Sequence, residues 1–226
     1  MNKKVFYAVG TLVGLTIIYF TIKKFFVKKN KPVGSVLFVG DSITAIEAGN
    51  TPVTTTYPNL IKKRLEPKGV RVDVLAVGGK TTAWQYANLI EKLKDNKYDR
   101  IYIYGGINDM FSSVSKQRAL QNVQKMVDLI KSKDAEPFVI IGYDAEKFMD
   151  ESKLKTTIYV PTKAGIIEMK NKYVDYQNSI LDTIKGATIV DKFDIPSSMT
   201  NDAIHPTPSG QKIIAETLLE DLLESI

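Results

Sequence analysis

Ser35-Val36-Leu37-Phe38-Val39-Gly40-Asp41-Ser42-Ile43-Thr44 begins as a short apolar run and breaks on a glycine that is followed by two polar residues. An apolar run without alternation is the pattern of a strand buried on both faces of a parallel sheet. Comparable runs recur at Val72–Val77, Ile101–Tyr104, Phe138–Ile141 and Thr188–Val190. Between and after them lie helical patterns at Tyr57–Leu65, Thr82–Leu93, Ser115–Lys133, Gly165–Ile184 and Pro208–Ser225. In the last of these, Ile213, Ile214, Leu218, Leu219 and Leu222 make one apolar face, and Pro208 suits a first helical turn. Regular alternation of strand and helix predicts an α/β fold, a mostly parallel sheet with helices on both faces.

Sheets of this kind bind ligands beyond the carboxyl ends of their strands. Polar signatures stand at those places here. Ser42 follows the first run, Gly78-Gly79-Lys80-Thr81 the second, and Gly105-Gly106-Ile107-Asn108-Asp109 the third. The chain's single histidine lies in Asp202-Ala203-Ile204-His205-Pro206, just before the last helix. A serine hydroxyl is a weak nucleophile at neutral pH and needs a positioned base. His205 is the one imidazole that can serve, and an ordinary histidine titrates where it can take and return a proton near neutrality. Asp202, three residues earlier, can accept from Nδ1 and fix the tautomer. These are the parts of a nucleophilic hydrolase.

Gly-Asp-Ser after the first strand, a glycine turn after the second, Gly-Gly-x-Asn-Asp after the third and Asp-x-x-His-Pro before the last helix resemble, in that order, the SGNH/GDSL hydrolases, which are serine esterases and lipases. The resemblance spans roughly residues 35–226. It implies a flavodoxin-like three-layer α/β/α sandwich with a five-stranded sheet in the order 2-1-3-4-5. It further implies Ser42, Asp202 and His205 as the catalytic residues. The oxyanion hole would be formed by the backbone N–H of Ser42, the backbone N–H of Gly79 and the side-chain amide of Asn108. The asparagine that usually precedes the family's glycine is missing and Gly78 is adjacent, so the second donor is Gly79 or its neighbour. Asp41 and Asp109 read as hydrogen-bonding supports of their turns. No cofactor or metal is implied.

The expected reaction is hydrolysis of carboxylic esters through an acyl-enzyme, with O-acetyl or short-chain esters on carbohydrate as the leading substrates. Lipid esters such as lysophospholipids, or transfer of the acyl group to another hydroxyl, would use the same residues. A catalytically silent, membrane-tethered binding protein is the alternative from another class. Gly79-Lys80-Thr81 also looks like the end of a phosphate-binding loop, but Val74 stands where that loop needs a glycine. A two-metal phosphoesterase would need more histidines than one.

Charge separates the chain into two parts. The formal net charge is +6, yet residues 1–31 hold seven lysines and no acid, which leaves 24 basic residues against 25 acidic ones elsewhere. A basic groove for nucleic acid is therefore not expected. Residues 5–22 carry no charge and would measure roughly 27 Å as a helix, close to the hydrocarbon thickness of a bilayer. Lysines bracket the stretch, and Tyr7, Tyr19, Phe25 and Phe26 stand near its ends. The expected organisation is a membrane anchor and basic linker over residues 1–31 and a catalytic domain over 32–226. A cleaved signal peptide is the rival, although Lys-Lys-Phe-Phe-Val-Lys-Lys follows directly where a small-residue cleavage site belongs. Lysines on both flanks leave the side of the membrane open. With no cysteine there is neither a disulfide framework nor a lipoprotein anchor. Residues 143–162 break the strand–helix rhythm and read either as a surface excursion with a small helix or as a flap that shapes the acyl or alcohol pocket.

Overall fold

Strand β1, Ser35–Gly40, has Val36 through Val39 fully buried, as an apolar run without alternation requires when both sheet faces are covered. The computed structural model describes residues 32–45, 53–149, 152, 162–200 and 202–226. Chain order continues with α1 (Tyr57–Leu65), β2 (Arg71–Ala76), α2 (Thr82–Asp95), β3 (Arg100–Ile103), α3 (Ile107–Met110), α4 (Lys116–Ser132) and β4 (Glu136–Ile140). It ends with α5 (Ala145–Phe148), α6 (Lys163–Thr183), β5 (Thr188–Val190) and α7 (Pro208–Leu223). The five strands form one sheet in the order β2-β1-β3-β4-β5, and every pairing is parallel.

Register places aromatic residues of three neighbouring strands side by side. Phe38 is opposite Tyr102, and Tyr102 is opposite Phe138. Their rings stack at centroid distances of 5.1 and 4.6 Å, and Tyr57 of α1 meets Phe38 edge-on at 5.5 Å. Each such pair contributes about 0.5–1.5 kcal/mol beyond its buried area. Helices α1 and α7 pack together against this face. The alternate residues Leu37, Val39, Ile101 and Ile103 are equally buried, and their side chains point to the opposite face, where α2, α4 and α6 pack in succession. The result is the expected three-layer α/β/α arrangement.

Element edges depart from the sequence reading where polar groups find partners. Strand β3 starts at Arg100 rather than Ile101, because the buried guanidinium is paired with Glu136 at 3.0 Å and Asp221 at 2.7 Å. Strand β4 likewise begins at Glu136 and admits Pro137. The short helix α3 was not expected, since Gly105-Gly106 reads as a turn, whereas α5 matches the small helix expected within residues 143–162. Residues 5–22 and the basic linker lie outside the described residues, as does most of the 143–162 excursion. Among the described residues, no helix is long and apolar enough to cross a membrane.

Strand order reverses between β1 and β3, so the chain leaves the two strands in opposite directions and opens a crevice at their carboxyl ends. The turns carrying Ser42, Gly79 and Asn108 all emerge there.

Candidate active site

The turn after β1 is a single helical loop in which Thr44 and Ala45 donate their N–H groups to the Asp41 carbonyl at 3.1 and 2.7 Å. Gly40 must be glycine, because a Cβ there would overlap the Thr44 side chain. Helix α7 holds the turn from behind. Gln211 Nε2 donates to the Ile43 carbonyl at 3.1 Å, and Gln211 Oε1 accepts from the Tyr57 N–H at 2.8 Å. The half-buried Ser42 is left facing His205, with Oγ 2.9 Å from Nε2.

His205 is placed by the loop that precedes α7. The Asp202 carboxylate turns this loop onto itself: Oδ1 accepts from the N–H of Ile204 at 3.0 Å and of His205 at 2.8 Å. Ala203 between them adopts φ of +62°, a left-handed conformation that costs an L-residue about 1–2 kcal/mol. Such strain persists where surrounding bonds over-determine the backbone. Asp202 Oδ2 lies 2.7 Å from His205 Nδ1. A carboxylate there requires Nδ1 to carry the hydrogen, which leaves Nε2 bare and able to accept from the serine.

Electrostatics agree with this tautomer. Burial opposes charge on Asp202, but the bonds from His205 and the Ile204 N–H outweigh it and hold the carboxyl well below the usual carboxylate range. Burial also opposes charge on His205. The hydrogen bond and charge of Asp202, with a further contribution from Asp41, override it and raise the imidazole above its ordinary value. The trio is built to accept a proton at Nε2 and to stabilise the imidazolium that results.

Two further turns are latched beside it. Gly79 has φ of +75° and carries no crowding neighbour, so its requirement for glycine is conformational. Gly78 is the one adjoining the nucleophile, since a Cβ there would stand 3.6 Å from that of Ser42. Asn108 sits in the first turn of α3 and donates from Nδ2 to the Lys80 carbonyl at 3.1 Å, which spends one amide hydrogen and leaves the other. Asp109 binds the same loop from the other side. Its Oδ2 accepts from the Thr82 N–H at 2.9 Å and its Oδ1 from the Thr82 hydroxyl at 2.7 Å, while Asn122 donates to that hydroxyl at 3.1 Å. Burial raises the Asp109 carboxyl, and the Thr82 donors pull the other way.

Ser42, Asp202 and His205 are thus joined in one hydrogen-bonded chain, and Gly79 and Asn108 are fixed to each other through Lys80. Thr82, Asn122 and Gln211 were missed from sequence. Thr82, at the start of α2 and opposite an aspartate, carried a weak signal as a helix-start partner; Asn122 and Gln211 carried none. Among the described residues no cluster of side chains could hold a metal ion.

Comparison with known proteins gives consistent results. The model of the GDSL-like lipase/acylhydrolase family matches residues 38–213. An arylesterase of Vibrio mimicus is 25% identical over 199 residues, which cover 84% of this chain and 89% of that protein. The psychrotrophic esterase EstA from a Pseudoalteromonas species superposes with a TM-score of 0.60 at 16% identity, over 84% of this chain and 97% of the other. The acetylxylan esterase Axe2 from Geobacillus stearothermophilus gives 0.58 at 18% identity, over 86% and 96%. The structural likenesses establish the common fold.

Proposed function

The chain belongs to the GDSL-like lipase/acylhydrolase family, and from that premise we propose that it hydrolyses O-acetyl and other short-chain esters of carbohydrate through an acyl-enzyme on Ser42. The observation that carries this reading is the continuous path from Ser42 Oγ through His205 to Asp202, with links of 2.9 and 2.7 Å. Ser42 Oγ attacks the ester carbonyl while its proton passes to Nε2. The imidazolium is held by Asp202 and returns the proton to the departing alkoxide. Water then repeats the sequence on the acyl group and regenerates the serine. The oxyanion of each tetrahedral intermediate is received by the N–H of Ser42, the N–H of Gly79 and the free amide hydrogen of Asn108. Asp109 and Lys80 keep those donors in place before substrate arrives.

The carbohydrate preference is supported by the acetylxylan esterase among the structural neighbours, which shares the fold. The test is a series of aryl esters of increasing acyl length beside an O-acetylated oligosaccharide and a lysophospholipid. The acetyl esters are expected to give the highest kcat/KM; a value that climbs with chain length and peaks on the lysophospholipid would replace carbohydrate with lipid.

Residues 5–22 are part of the same proposal as a membrane anchor, supported by their length, their lack of charge and the lysines on both sides. Full-length protein is expected to sediment with membranes and to be released by detergent but not by high salt. Recovery in the soluble fraction without detergent would refute the anchor.

A further inference from the structure

The active-site region contains three aspartates, and they are solvated by the protein very differently. Asp202 accepts two backbone N–H groups and the imidazole. Asp109 receives two donors from Thr82, one on each oxygen. Asp41, adjacent to the nucleophile, is completely buried, takes one N–H from Ile43 at 3.0 Å on Oδ1, and among the described residues has no hydrogen-bond partner on Oδ2. An ionised carboxylate offers about four acceptor sites and is costly to bury with most of them unmet. A neutral carboxylic acid needs far less.

The surroundings favour the neutral form as well. The titratable groups coupled electrostatically to Asp41 are Asp109, the buried tyrosines 57, 104, 143, 173 and 176, and His205. The hydroxyls of Tyr104, Tyr143 and Tyr173 have no partner of good geometry, although Tyr173 lies near Tyr104 and Gln177. No lysine or arginine belongs to this set. Within this set of described residues, the one group able to become a cation is the imidazole.

We propose that Asp41 is a positioning residue that stays a neutral carboxylic acid at pH values where ordinary aspartates are ionised, and that its protonation state adjusts the basicity that Asp202 gives His205. This inference rests on the Ser42–His205 reading and extends it to a group that touches no reacting atom. Burial, reinforced by the Asp109 charge and offset in part by the Ile43 N–H and the His205 charge, pushes the Asp41 carboxyl up to about 7. The coupling works in both directions: imidazolium favours ionised Asp41, and ionised Asp41 favours imidazolium. As pH rises, loss of the Asp41 proton therefore prolongs the protonated state of His205 and delays formation of the base. While Asp41 stays neutral, the imidazole answers to Asp202 alone.

Asp41→Asn keeps the acceptor for the Ile43 N–H and imitates the neutral acid at every pH. Because His205 is the only histidine, its ring nitrogens in histidine-labelled full-length protein in detergent micelles give an unambiguous titration without substrate. The wild type should titrate broadly, as one of two coupled sites. Asp41→Asn should titrate as a single site with its midpoint lowered by roughly half to one pH unit, the effect of removing one nearby charge. The acidic limb of kcat/KM should move by the same amount, a displacement that a merely structural role for Asp41 does not produce. Superimposable titrations in the two proteins would overturn the proposal. The wild type provides a second measurement should the variant not fold: among the carboxyl carbons of labelled aspartate, one resonance should titrate near pH 7. Titration of every aspartate below about pH 5, the ordinary carboxylate range, would overturn it equally. Neither of the two titrations depends on ester hydrolysis, so failure of the ester reading and failure of this inference are separable.

Discussion

Ser42→Ala is expected to lower ester turnover on the order of 10⁶-fold, the loss seen when the nucleophile of a triad is removed, and to abolish covalent labelling by a fluorophosphonate. The chain has no cysteine that could take over as nucleophile. The change should leave the turn intact, because the bonds that shape it run from Thr44 and Ala45 to the Asp41 carbonyl and from Gln211 to the Ile43 carbonyl, none through the serine hydroxyl. His205→Ala should cost nearly as much, and the double variant little more than either, since the two side chains act as one unit. Intact-mass measurement after exposure to the probe reads the outcome directly. A labelled Ser42→Ala protein would show that the nucleophile lies elsewhere, and full turnover by that variant would remove the acyl-enzyme altogether.

The ease with which this pair was found in the sequence has a physical origin. Ser42 and His205 are 163 residues apart, but each sits at a strand end or helix entry that apolar runs and Pro208 make visible, and a parallel sheet brings such ends together. The positions of the strands and the buried faces of β1 and α7 were legible for the same reason, because they depend on apolar patterning, whereas the strand order was implied only by the resemblance to the family. What was illegible depends on long-range polar contacts. Nothing in the local sequence around Arg100 shows that Glu136 and Asp221 will meet its guanidinium and let a charged residue open a central strand. The choice between Gly78 and Gly79 could not be read either, because two adjacent glycines both permit a tight turn. The fold gives them different tasks: the positive φ falls on Gly79, while Gly78 is the close neighbour of Ser42. Asp41 and Asp109 looked equivalent, one acid beside each active-site motif. They differ in what surrounds them, with Thr82 bonded to both oxygens of Asp109 and, among the described residues, no donor bonded to Asp41 Oδ2.

The support around Asn108 leads to the second large effect. Asn108→Ala is expected to reduce kcat by roughly 10²–10³-fold, equivalent to about 2.7–4 kcal/mol, the magnitude associated with loss of one oxyanion donor. The two other proposed donors are backbone N–H groups that no side-chain substitution removes, which is why Asn108 is the member of the set open to this test. Its amide is pre-oriented by the Lys80 carbonyl at 3.1 Å, and the loop carrying that carbonyl is anchored by Asp109 through Thr82. A donor fixed in this way suffers no reorganisation when negative charge develops, so its contribution belongs to the transition state rather than to bound ester. KM should accordingly change little while kcat and kcat/KM fall together. Truncation also releases the Lys80 carbonyl, but Asp109 continues to hold Thr82, and thermal unfolding of the variant should stay close to wild type. A large rise in KM at unchanged kcat would instead assign Asn108 to ground-state binding. A collapse in stability with the activity loss would make its bond to Lys80 the whole of its role, and the oxyanion site would then lie with the backbone donors alone.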